Sequence, residues 1–266
     1  MSQSPKTTGR QGGALEALFE PRSVAVVGAS AEAGKTGHEI LTSLVSAGFE
    51  GPIYPVNPRY EELEGLTCYP SLGELPEPAD LAVIVVPAKV VPSVVQDAAR
   101  SYVRALVIVT SGFKETGRAG AELERNVIQT ARRAGIRVLG PNCLGVMAPA
   151  RKLNASFGGP LPPAGHIAYF SQSGSLLAAI ADMGRSHGVG FSKLLSIGNK
   201  ADIDELTVMR AFGRDGDTAV IAGYLETISD GDAFVREAER ISRTKPILLM
   251  KSGETGAGAA AASSHT

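Results

Sequence analysis

The chain has 266 residues, 44% of them hydrophobic and 20% charged, with a formal net charge of −1. At about 150 residues per domain this is one large globular domain or two modest ones, and near-neutral charge with 5% aromatic residues and no Trp argues against a nucleic-acid surface. No apolar run reaches the roughly 18 residues of a membrane span, and two cysteines, Cys68 and Cys143, are too few for a disulfide framework and fit a reducing, cytoplasmic setting.

Residues 1–13 lack the apolar stretch of a signal peptide and read as a flexible arm. Strand-length runs rich in Val and Ile follow at 23–27, 52–56, 81–86, 105–109 and 136–139. They mostly lack alternation, the pattern of parallel strands covered on both faces. Helical periodicity fills 36–47, 89–102 and 119–134, so the first half is a parallel α/β sheet with right-handed crossovers. Residues 147–164 carry Pro149, Gly158, Gly159, Pro160, Pro162 and Pro163 with no periodicity, and the domain boundary is expected there. The second half repeats the grammar, with strands at 167–170, 191–196, 219–225 and 246–251 and helices at 173–187, 203–212 and 232–243. The last stretch, 253–266, is rich in Gly, Ala and Ser and reads as a mobile loop or an unfinished end.

The first strand runs into a Gly-rich turn, Gly28-Ala-Ser-Ala-Glu-Ala-Gly-Lys-Thr-Gly37, and then a helix. Two phosphate motifs nearly fit. A P-loop has four residues between its first Gly and the Gly-Lys pair, whereas Gly28 and Gly34 enclose five. The dinucleotide fingerprint needs Gly where Ser30 stands. The physics survives both mismatches, because such a turn offers free N–H groups and a positive dipole end to a phosphate; a plain strand-to-helix turn is the alternative. Small-residue loops also end the other strands, at 56–59, 86–88, 110–115 and 140–145, and ligands of open parallel sheets bind at that edge. Arg59 brings a guanidinium suited to bidentate phosphate contact.

In the second half, Ser171-Gln-Ser-Gly-Ser175 joins a strand to a helix. Ser173 is a candidate N-cap, and Gly174 lets a ligand approach the free N–H groups; a capped helix without ligand is the alternative. Glu226 follows an apolar run at a strand end. Of the four histidines, His38, His166 and His187 have no chemical company in the sequence and read as structural or surface residues. By composition alone His265 belongs to a disordered end. Cys143 has no base nearby and reads as packing.

With these motifs in order, residues 16–266 resemble the NDP-forming acyl-CoA synthetases, which include ADP-forming acetate–CoA ligases and, more distantly, the succinyl-CoA synthetase α-subunit. The first half carries the match in Leu18-Phe-Glu-Pro-Arg-Ser-Val-Ala-Val-Val-Gly-Ala-Ser30, Val56-Asn-Pro58, Thr110-Ser-Gly-Phe113 and Gly140-Pro-Asn-Cys143. The second half carries it in Phe170-Ser-Gln-Ser-Gly-Ser175, Ser196-Ile-Gly-Asn-Lys-Ala-Asp202, Tyr224-Leu-Glu226 and Ala262-Ser-Ser-His-Thr266. The resemblance implies a Rossmann-like CoA-binding domain over 14–147 and a flavodoxin-like, succinyl-CoA synthetase-like domain over 148–266, both with parallel sheets. It implies the reaction acid + ATP + CoA to acyl-CoA + ADP + phosphate, through an acyl phosphate and a phosphohistidine. Gly28, Ser30, Lys35, Arg59, Val86, Ala88, Ser111 and Asn142 then face CoA. Ser171, Ser173, Gly174 and Ser175 hold phosphate, and His265 is the phosphorylated histidine, oriented by Glu226.

No metal site is expected in the chain. ATP or ADP with Mg2+ belongs to an ATP-grasp module that nothing here resembles, so the chain is expected to be a fragment or a subunit needing such a partner, in an oligomer. Two other readings are a synthetase-like regulatory region fused to a GNAT lysine acetyltransferase and a CoA-sensing module without catalysis.

Overall fold

The computed structural model describes residues 15–253. A short helix, α1 (Glu16–Phe19), leads into β1 (Val24–Val27), α2 (Thr36–Ser46), β2 (Ile53–Val56) and a small hairpin, β3 (Glu62–Leu63) with β4 (Leu66–Thr67). Then come β5 (Leu81–Ile84), α3 (Val91–Arg100), β6 (Ala105–Ile108), α4 (Arg118–Arg133) and β7 (Arg137–Leu139). The second half holds β8 (Gly145–Ala148), β9 (Leu153–Ser156), β10 (Ala164–Ser171), α5 (Gly174–His187) and β11 (Phe191–Ser196). It closes with α6 (Glu205–Arg214), β12 (Val220–Leu225), α7 (Gly231–Ser242) and β13 (Ile247–Lys251). Each strand and helix expected from the apolar periodicity is present within a few residues among those described.

The first sheet runs β2-β1-β5-β6-β7, with every pairing parallel. Connections leave β1 towards β2 and return past it to β5, so the strand order reverses between β1 and β5. A crevice opens at such a point. The second sheet runs β13-β12-β10-β11-β8-β9. Its first four strands are parallel, and its reversal lies between β10 and β12. Residues 147–164 are not an unstructured linker. The β8–β9 hairpin extends the second sheet, antiparallel to β11, and the sheet therefore starts at Gly145, ahead of the 147/148 division expected from the sequence. Four-residue apolar strands among Gly and Pro carry too little periodicity to be seen in sequence.

The two sheets share one apolar core. Phe19 of α1 packs against Phe212 of α6 with ring centroids 5.8 Å apart, and Phe212 meets Phe170 of β10 at 6.3 Å. Leu18, Phe170 and Phe212 are completely buried, each burial being worth about 1.5–3 kcal/mol. Polar struts fix the same junction. Asp202 accepts from Arg132 Nε at 2.9 Å, Arg137 Nε at 2.8 Å and the Val138 N–H at 2.9 Å, tying the loop after β11 to α4 and β7.

Three such carboxylates predict acid sensitivity. Burial pushes the carboxyl groups of Asp80, Asp202 and Asp215 up, but hydrogen bonds and charge from Arg22, from Arg137 and Arg132, and from Lys193 outweigh it and leave all three below the usual range. A carboxyl group held low in the folded chain stabilises the fold fully above its unfolded pKa of about 4 and loses that contribution as the pH falls through the folded value. Thermal unfolding followed by circular dichroism should therefore show little change between about pH 5 and 7 and a steep loss of stability below about pH 4.

Candidate functional site

The turn after β1 is shaped by close approach. Gly28 takes φ +93° and its N–H donates to Val56 O at 2.9 Å. A Cβ at Gly37, in the first turn of α2, would stand 2.1 Å from Gly28 O, so only glycine lets the helix start this near the turn. Asn57 fastens the neighbouring loop. Its Nδ2 donates to Ala29 O at 2.7 Å while its Oδ1 accepts the Arg59 N–H at 3.0 Å. The Arg59 side chain is exposed and pairs with none of the described residues. Lys35 reaches Glu32 at 2.6 Å on the rim, and the Ser30 hydroxyl accepts the Glu32 N–H at 3.1 Å. Gly28, Ser30, Lys35, Arg59 and Val86 line one cleft of about 760 Å³.

Val86 leads onward into a second cleft of about 1110 Å³, where the carboxyl edges of the two sheets face each other. Val86, Ala88, Ser111 and Asn142 line its first-sheet wall; Ser173, Gly174, Ser175 and Glu226 line the opposite one. The Ser173 hydroxyl caps α5, accepting the Leu176 N–H at 3.3 Å. The N–H groups of Gly174 and Ser175 have no acceptor within the helix, and the helix dipole makes that end attractive to an anion. Ser171 does not face the cleft as expected. It is fully buried, and its hydroxyl accepts the Ser173 N–H at 3.0 Å and donates to Ser173 O at 2.6 Å, so it shapes the turn.

Glu226 is half-buried and held by its backbone. Gln172 Oε1 accepts the N–H groups of Glu226 and Thr227, each at 3.1 Å, joining the two loops at the reversal point of the second sheet. Behind them, buried Lys200 bonds Glu205 at 2.9 Å and Thr227 O at 2.7 Å. The cleft floor is a second polar knot. Asn199 Nδ2 donates to Glu115 at 2.6 Å and to Glu124 at 2.8 Å, and its backbone oxygen accepts from Lys114 Nζ. Burial pushes the Glu115 carboxyl up, but the hydrogen bonds from Asn199 and from the N–H groups of residues 112 and 113 bring it below its ordinary value. Cys143 lines the cleft, yet burial pushes its thiol up to about 12, which makes it inert as a nucleophile.

Two family models cover most of the chain in the same order. A CoA binding domain matches residues 22–149, and a succinyl-CoA ligase like flavodoxin domain matches residues 164–266. In both domains the chain resembles the NDP-forming acyl-CoA synthetases. It is 45% identical to acetate–CoA ligase (ADP-forming) I of Archaeoglobus fulgidus, over 95% of this chain and 36% of that protein. With the α subunit of acetate–CoA ligase (ADP-forming) I of Pyrococcus furiosus it shares 44% identity, over 95% of this chain and 55% of the subunit. The structure superimposes with a TM-score of 0.90 on the dinucleotide-forming acetyl-coenzyme A synthetase 1 of Ca. Korarchaeum cryptofilum solved with phosphate and ADP, at 43% identity over 94% of this chain and 54% of that one. The chain thus spans about a third to just over half of the length of these relatives.

Within this fold, the expected site residues from Gly28 to Glu226 gather along two joined clefts, apart from buried Ser171. His265 lies outside the described residues. The clefts are also lined by Asn57, Lys114, Gln172 and Asn199, which the sequence does not single out. Asn57, Gln172 and Asn199 sit inside matched motifs, but nothing local shows that their amides bridge loops distant in the chain. Among the described residues no group of three or more His, Cys, Asp or Glu could hold a metal ion, and no helix is long and apolar enough to cross a membrane.

Proposed function

We propose that the chain is the CoA-binding and phosphohistidine part of an ADP-forming acid–CoA ligase. The observation that carries this reading is the joining of the two clefts. A phosphate-suited turn at Gly28 and the exposed guanidinium of Arg59 lie at one end. An anion-suited helix terminus and a carboxylate lie at the other, across a wall of small side chains. CoA lies along this path, with its phosphates near Gly28 and Arg59, its pantetheine arm over Val86 and Ala88, and its thiol near Ser111 and Asn142. The thiol then faces the N–H groups of Gly174 and Ser175, which hold the phosphoryl oxygens of the acyl phosphate.

In the synthetic direction a phosphoryl group passes from ATP to His265, then to the carboxylate of the acid; the CoA thiolate displaces phosphate from the resulting acyl phosphate. Glu226 accepts the Nδ1–H of His265, which leaves Nε2 as nucleophile and offsets the imidazolium charge. ATP and Mg2+ are held by an ATP-grasp domain or subunit outside this chain. The test is acyl-CoA formation by the complete enzyme from ATP, CoA and a panel of carboxylic acids. ADP and phosphate should appear together with acyl-CoA; AMP and pyrophosphate in their place would overturn the proposal.

The anion site makes its own prediction. A Cβ at Gly174 would meet Leu144 Cβ at 3.5 Å, an ordinary contact, so the fold has room for a side chain there. Gly174→Val should leave thermal stability within about 1 kcal/mol of wild type, the cost of its lower helix propensity against alanine being offset by removal of glycine. Phosphate binding, read by calorimetry, should fall at least about tenfold, as branched carbons cover the first N–H groups.

A further inference from the structure

An exposed aromatic residue lies in the main cleft. Phe157, between β9 and β10, is 41% exposed although most large apolar side chains here are buried. It lines the wall that also holds Leu144, Gly174, Ser175 and Ala178. Its loop is fixed by buried polar contacts. Asn154 and Ser156 are 1% and 0% exposed; Ser156 Oγ donates to Asn154 Oδ1 at 2.7 Å and accepts the Gly158 N–H at 3.3 Å, while Asn154 Nδ2 donates to Gly159 O at 2.9 Å. A Cβ at Gly158 would stand 2.8 Å from Leu144 Cδ2 and 2.9 Å from Met147 Cε, so glycine lets the loop pack directly on the sheet. An aromatic ring kept part-exposed on a fixed loop, beside an anion-suited helix terminus, is placed to meet the carbon portion of a ligand.

We infer that Phe157 is a specificity-determining residue that, with Leu144 and Ala178, limits the carbon chain of the acid. The inference rests on the ligase reading above. With the reacting carboxyl group at the N–H groups of Gly174 and Ser175, the rest of the acid extends over apolar surface. Leu144 borders Gly174, and Ala178 lies one turn further along the same face of α5. Phe157 closes that surface. A pocket wall discriminates about 10–200-fold per methylene, so changing the ring should reorder the acids.

The test uses the complete enzyme, as wild type, Phe157→Ala and Phe157→Trp, with acetate, butyrate and hexanoate. In Phe157→Ala, kcat/KM for hexanoate relative to acetate should rise about tenfold or more, and in Phe157→Trp the ratio should fall by a similar factor. The KM for CoA should stay within about twofold in both. An unchanged ranking of acids in both variants, or a change confined to the KM for CoA, would overturn the inference while leaving the ligase reading standing. A folded wild type that makes no acyl-CoA from any acid would overturn both.

Discussion

Replacing His265 by Ala in the complete enzyme should abolish acyl-CoA synthesis, lowering the rate by roughly three orders of magnitude or more, as loss of a covalent nucleophile does, while CoA affinity stays within about twofold. The residues proposed to face CoA line the carboxyl edge of the first sheet. On the proposed route the phosphoryl group visits both the cleft and a nucleotide held outside this chain, and no fixed side chain reaches two distant sites. The run from Gly253 to Ala262 is three Gly and five Ala with Glu254 and Thr255, a composition that suits the proposed carrier segment. Glu226→Gln should slow phosphorylation yet leave it detectable, because the backbone of residue 226 stays anchored by Gln172. Radioactive ATP should give acid-labile, base-stable label in the wild type and none in His265→Ala. Undiminished label in the variant would assign the phosphoryl carrier elsewhere.

The second large effect is structural. Gly37→Ala puts a methyl group 2.1 Å from Gly28 O, against backbone that cannot rotate away. The start of α2 must then part from the turn after β1, at about 3 kcal/mol for an overpacked contact of this kind. Thermal melts should show a fall of roughly 6–12 °C. CoA affinity should fall more than tenfold, because the same movement carries off the N–H groups of the turn. A variant that melts and binds CoA like the wild type would mean that the turn does not form the site.

Much of this was legible in the sequence, for identifiable reasons. Parallel strands buried on both faces spell themselves as Val- and Ile-rich runs, and the turn at Gly28 declares its glycines. The β8–β9 hairpin was hidden because its apolar residues are shared with a Pro- and Gly-rich stretch. The amide bridges of Asn57, Gln172 and Asn199 were hidden because each joins segments that only folding brings together. Ser171 misled for the opposite reason. Its place in a serine-rich turn suggests a ligand contact, whereas tertiary packing turns the hydroxyl onto its own backbone. Nothing in the sequence marks Phe157, because an aromatic residue beside two glycines looks like ordinary loop sequence.

The joined clefts are tested most directly by calorimetry of the protein with CoA and with NAD, repeated on Arg59→Ala. CoA should bind and NAD should not, and the substitution should weaken CoA by about 1.5–3 kcal/mol, the loss of a charge-assisted phosphate contact. Binding of NAD without binding of CoA would contradict the assignment of the first sheet's edge to CoA.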